Sequence, residues 1–215
     1  ELEGGALGLA FVLLEDTLAR LRAAPAAVAG ADPLEVARGY GEGDGARRAV
    51  GFAAVNALTA LLFERAGFRP GPAGDTIGHL DPRPGDHVGM IGLFRSLVDR
   101  IVSAGARLTV VELDARLAGE HGVWRVTTDP EALRECNKVL STSTILLNDT
   151  VDGMLERCRG AEAVAVVGPG AGCLPDPLFA RGVTLVGGTW IEDRARLREA
   201  LLAGTPWGPA ARKYA

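Results

Sequence analysis

Glu112 lies 20 residues beyond Gly92, near the end of an apolar run from Arg107 to Leu113. A carboxylate at that distance from a glycine-bearing turn is where dinucleotide folds hold the hydroxyls of a ribose. The turn itself, Gly89-Met90-Ile91-Gly92-Leu93-Phe94, lets the backbone reverse tightly and leads into a helix whose first N–H groups could meet an anion. It falls short of the G-x-G-x-x-G fingerprint, because Ile91 and Phe94 stand at the second and third glycine positions and Ile91 would hold a pyrophosphate away. Glycines that serve only strand–helix packing are the competing reading of the turn. An enzyme using an adenosine-containing cofactor, of the NAD or S-adenosylmethionine type, is therefore the alternative function.

Two further loops carry polar groups or bare backbone. Ser141-Thr142-Ser143-Thr144 is followed by Asn148 and Thr150. Thr142 or Ser143 can cap the helix that follows, and Thr144 and Asn148, four residues apart, share one of its faces. A buried hydroxyl and amide there need partners, which a ligand could supply. The loop Gly168-Pro169-Gly170-Ala171-Gly172-Cys173-Leu174-Pro175-Asp176-Pro177 is a rigid wall poor in side chains, suited to a bound small molecule.

Metal and nucleophile signals are thinner. His79, Asp81, Asp86 and His87 cluster without helical spacing and read as polar residues of an exposed linker. Cys136, Cys158 and Cys173 show no C-x-x-C spacing, which speaks against a disulfide framework or a thiolate zinc site. Cys173 reads as a small buried residue, and His121 as part of an exposed turn.

The elements that must position these groups follow from the apolar pattern. Within 215 residues, Leu7, Leu9, Phe11 and Leu13 alternate as a strand covered on both faces, so the chain opens as if inside a domain. A short helix is expected over Asp32–Tyr40 and a longer one over Ala46–Ala66, with Val50, Ala54, Leu58, Leu61 and Leu62 as its inner stripe and Gly67 as its stop. Prolines 70, 72, 82 and 84 with four glycines make residues 69–86 a linker between a small domain, 1–68, and a larger one, 87–215. In the larger one, strands at 87–91, 107–113, 138–140, 163–167 and 183–186 alternate with helices at 94–104, 129–136, 144–158 and 193–203. Continuous apolar strands between helices indicate an α/β fold, a Rossmann-like parallel sheet with helices on both faces. In such sheets ligands sit beyond the carboxyl ends of the strands, where strand order reverses.

Composition narrows the function classes. The net charge of −4 without a basic block speaks against nucleic acid, and no unbroken apolar run or signal peptide points to a membrane, so the chain reads as cytoplasmic. A mean hydropathy of +0.16 fits self-association as a homo-oligomer.

The run Thr142-Ser143-Thr144 to Asn148-Asp149-Thr150-Val151-Asp152 resembles the heavy-metal-chelation family, a domain of unknown function. So do Val167 through Phe179, Gly182-Val183-Thr184 to Gly187-Gly188, the Gly89-x-x-Gly92-x-Phe94 turn and Asn56-Ala57-Leu58. The resemblance implies an enolase-N-terminal-like α/β domain before the Rossmann-like one, and an interdomain cleft as the site. It implies binding of a small ligand, with or without a divalent transition metal, in cofactor or metallophore metabolism; a non-catalytic ligand carrier is a further alternative. Cleft-lining positions are then Asn56, Gly89, Gly92, Phe94, Glu112, Thr142, Thr144, Asn148, Gly168, Pro169, Gly170 and Gly172, with Glu112 the metal ligand if a metal is held. The sequence departs from the family pattern at Ser143 and Asp149, where glycine is common.

Overall fold

A computed structural model describes all residues of the chain except 13–14, 24–27 and 75–78. Helices α1 (Glu15–Ala23), α2 (Pro33–Glu42) and α3 (Gly45–Arg65) come first, then β1 (His87–Ile91), α4 (Arg95–Ser103), β2 (Arg107–Val111), β3 (Gly119–Glu120) and β4 (Trp124–Thr127). Strand β5 (Lys138–Thr142), α5 (Val151–Arg157), β6 (Ala163–Val167), α6 (Asp176–Phe179), β7 (Leu185–Ile191), α7 (Arg194–Ala203) and β8 (Ala211–Tyr214) complete the chain. The fold is α/β, as expected from the pattern.

The chain forms two compact units, and it crosses between them more often than one linker at 69–86 would allow. The first comprises Glu1–Pro72, Gly168–Leu174 and Gly188–Ala215; the second comprises Ala73–Val167 and Pro175–Gly187. Residues 168–174 and 188–215, expected in the Rossmann-like domain, thus belong with the N-terminal residues. No composition break marks the last crossing because it lies inside strand β7.

In the second unit the strands lie side by side as β3-β4-β2-β1-β5-β6-β7. β3 is antiparallel to β4, and every other pair is parallel. Numbered in chain order, the six parallel strands stand 3-2-1-4-5-6, the doubly wound dinucleotide-fold order, which reverses between β1 and β5. β1 is buried along its length, Met90 lying between Val110 and Leu140. α4 covers one face, its Leu97, Val98 and Ile101 packing with Val88, Met90, Leu108 and Val110. On the opposite face a Cβ at Gly89 would lie 3.0 Å from Leu133 Cδ2 and 3.1 Å from Cys136 Sγ, so glycine there lets the 3-10 segment Pro130–Glu135 press against β1.

The helix expected over 144–158 is interrupted: a 3-10 turn, Ser143–Leu146, precedes α5, and between them Asp149 sits at φ +59°. That left-handed conformation explains why glycine suits this position. Asp149→Val is expected to lower unfolding free energy by about 1–2 kcal/mol, with Asp149→Asn nearly neutral, in urea titrations followed by circular dichroism. The strand expected at 183–186 starts later, at Leu185, and runs on through Gly187-Gly188. Asp86 and His87 are no exposed linker residues: His87 is buried in β1 with Nε2 2.9 Å from Thr109 Oγ1, and Asp86 is ion-paired with Lys138.

In the first unit α2 and α3 cross at glycine, with the Tyr40 and Phe52 ring centroids 4.6 Å apart. The inner face of α3 is Ala49, Phe52, Asn56 and Thr59 with Gly51 and Ala57, whereas Leu62 of the expected stripe is exposed. Small residues won this face because they admit neighbouring backbone. By length and composition α3 is also apolar enough to cross a membrane, which a search for an unbroken apolar run misses. Leu7, Leu9 and Phe11 form no strand, and Leu13 lies outside the described residues. A Cβ on Gly8 would overlap Ala53 O and Ala57 N, so this segment lies directly on α3 instead of joining a sheet. The last residues of β7 pair antiparallel with β8, Gly188 opposite Tyr214.

Candidate functional site

At the carboxyl ends of β1, β2 and β5 the second unit holds a hollow of about 260 Å³. β1 is followed by Gly92, at φ +78°, whose N–H donates to Val111 O; a Cβ here would stand 2.9 Å from Thr142 Cγ2. Glycine therefore lets the first loop turn beside the end of β5. β2 delivers Glu112, whose own N–H is fixed by Thr127 O of β4. Its Oε2 accepts from Leu93 N at 2.9 Å and its Oε1 from Leu113 N at 2.8 Å, so the carboxylate ties the loop after β1 to the loop after β2. Phe94 N–H is taken as well, by Met90 Sδ at 3.3 Å.

The end of β5 contributes short polar side chains. Thr142 caps the 3-10 turn by accepting from Thr144 N, and the two hydroxyls lie 2.8 Å apart. Asn148 Oδ1 accepts from Thr150 N and from Thr150 Oγ1, while its Nδ2 has no partner among the described residues. Ile91, Leu93, Leu113, Ile145 and Met154 add apolar wall. The hollow can thus offer one fixed anion, a few neutral donors and acceptors, and contact area for an apolar surface.

Gly92, Phe94, Glu112, Thr142, Thr144 and Asn148 line this hollow together. Gly89 does not, since its open side faces Leu133 and Cys136. Asn56, Gly168, Pro169, Gly170 and Gly172 form a second group, within the first unit. There Asn56, only 3% exposed, donates through Nδ2 to Leu9 O at 2.6 Å and to Gly170 O at 2.9 Å, leaving Oδ1 without a partner among the described residues. Gly172 packs on the same amide, and Tyr214 OH donates to Ala171 O at 2.9 Å, so the glycine–proline loop is clamped from two directions. Burial pushes the Tyr214 hydroxyl up to about 12 and raises the Cys173 thiol.

Sequence reasoning missed Tyr214, whose only signal is the short polar–aromatic end of the chain, and it missed the apolar wall of the hollow. Ile145 and Met154, both buried, flank the break at Asp149 and line the hollow from either side of it. His121 stacks on Trp124 with ring centroids 4.3 Å apart. Neither ring lines the hollow.

Residues 75–215 match the model of a family, DUF364, described as "Putative heavy-metal chelation". A crystal structure of a protein of unknown function from that family, from Desulfitobacterium hafniense DCB-2, superposes with a TM-score of 0.65 at 24% identity, covering 84% of this chain and 72% of that one. A second family structure, from Pyrococcus horikoshii, gives 0.63 at 19% identity, with 79% and 68% covered. An uncharacterized protein of Methanocaldococcus jannaschii is 39% identical over 61 residues, which span 28% of this chain and 24% of that protein.

Proposed function

We propose that this chain, which belongs to the DUF364 family, binds a small hydroxyl-bearing organic molecule in the hollow at the ends of β1, β2 and β5. Glu112 is the acceptor for the ligand's hydroxyls, and Thr142, Thr144 and Asn148 orient it. The observation that carries this reading is the setting of Glu112, a single carboxylate held by two backbone N–H groups among neutral polar side chains and apolar walls. A site so built favours hydroxyl donors over a bare cation, because one carboxylate cannot replace the hydration shell of a metal ion.

The family description raises heavy-metal chelation directly, and the donor set is the test of it. Among the described residues no three His, Cys, Asp or Glu side chains converge. Soft metals want thiolates, yet burial pushes the Cys136 and Cys158 thiols up to about 11 and about 12. The described side chains do not fit a bare heavy metal; a metal enters this reading only as part of a ligand that brings its own donors.

Titration calorimetry with zinc, copper(II) or nickel ions on wild type and Glu112→Gln separates the two ideas. The organic-ligand reading expects no difference between the proteins. Stoichiometric metal binding to wild type that Glu112→Gln abolishes would overturn it.

A further inference from the structure

We infer that the ligand of this hollow is a ribonucleoside unit that places no diphosphate on the β1 turn; this rests on the hollow being the site. The strand order reverses between β1 and β5, and the hollow opens at that reversal, with Glu112 at the end of the strand next to β1. Each Glu112 oxygen takes one backbone N–H and keeps a further lone pair, so the carboxylate can accept from two adjacent hydroxyls, as a ribose presents them. The apolar rim suits a flat base: Leu113 is 68% exposed beside Glu112, and Ile145 and Met154 continue the wall.

The same turn is closed to a diphosphate. Two N–H groups of the turn that would cradle phosphate oxygens are already committed, Leu93 N to Glu112 and Phe94 N to Met90 Sδ. Phe94 stands at the N-cap of α4, where a dinucleotide fold needs bare backbone, and Glu112 repels a second anion at that spot. Sugar recognition is thus retained and phosphate recognition lost, which selects nucleosides and their uncharged or sulfonium-type 5′ derivatives over dinucleotides.

Titration calorimetry of the full chain with adenosine, guanosine, cytidine and uridine, each beside its 2′-deoxy counterpart, tests this. At least one ribonucleoside is expected to bind, its 2′-deoxy form about tenfold or more weaker, because a hydrogen bond to a charged group is lost. Glu112→Gln should weaken the ribose form by a similar factor and leave the deoxy form nearly unchanged, and NAD should bind no tighter than the nucleoside. Silence from all four ribonucleosides at about 5 mM, or equal binding of ribose and deoxyribose forms to wild type, overturns the inference. The wild-type comparison needs no variant, so a folding defect in Glu112→Gln cannot mask the answer. A co-purifying molecule that depends on Glu112 but is no nucleoside would remove the ribonucleoside and leave the hollow as the site.

Discussion

Gly51→Val is expected to lower unfolding free energy by at least about 3 kcal/mol. Gly51 sits where α3 passes α2, and a Cβ there would overlap Tyr40 N and lie 2.6 Å from Gly39 C. These are backbone atoms of a helix, so a rotamer change cannot relieve the overlap and the helices must separate. Separation would also pull the Tyr40 ring away from Phe52. Gly41→Ala is the control, since an added Cβ on this exposed helical glycine meets nothing within 4 Å. It should stabilise by about 0.5–1 kcal/mol by raising helix propensity. Urea unfolding by circular dichroism reads both; a Gly51→Val protein as stable as wild type would mean that α2 and α3 do not pack as described.

Asp86→Ala should cost about 2–3 kcal/mol at neutral pH. The Asp86 carboxylate accepts from Lys138 Nζ, Asn137 Nδ2 and Arg83 N, each at 2.8 Å, and so fastens the entry of β5 to the entry of β1. Its partner Lys138 is as enclosed as Asp86, each side chain being 14% exposed. Removing the carboxylate leaves a poorly solvated ammonium with only Asp81 O as a described acceptor. The Lys138 hydrogen bond, then the Asn137 one, hold the Asp86 carboxyl at about 2, against 3.8 ordinarily. The folded state therefore binds this proton less readily than the unfolded chain, and the carboxyl's stabilisation is complete above about pH 4 and is lost as pH falls through about 2. That difference amounts to about 1–2 kcal/mol after screening by nearby solvent. Wild type minus Asp86→Asn stability should shrink over this acid window, as read by urea midpoints at successive pH values, and a pH-independent difference would contradict the pairing.

What the sequence makes legible is burial on both faces. β1, β2, β5 and β6 are continuous apolar runs because parallel strands between helices have no solvent side, and they appear close to where the pattern places them. β3 and β8 are short edge strands and β4 lies just inside β3, and runs as brief as Gly119-Glu120 and Ala211–Tyr214 carry no recognisable period. The face of α3 was illegible for another reason: glycine and alanine at 51 and 57 pack through closeness rather than bulk, and leucines advertise the wrong stripe.

The topology rule for parallel sheets points to strand ends. Glu112 and Thr142, expected at strand ends, and Asn148, expected on the helix that follows, line one hollow. Gly89 misled because a glycine permits close approach on either face of a strand, and only the position of Leu133 shows which face is meant. For the glycines of 168–172 the chain pattern does not show that the loop after strand β6 belongs to the other compact unit.

Native mass spectrometry of wild type and Glu112→Gln, both purified without refolding, bears most directly on the hollow as an organic-ligand site. The expected spectrum shows wild type carrying one organic adduct whose occupancy falls about tenfold in Glu112→Gln while the fold, checked by circular dichroism, is unchanged. Bare metal ions as the sole Glu112-dependent adduct, or an organic adduct retained in full by Glu112→Gln, would contradict it.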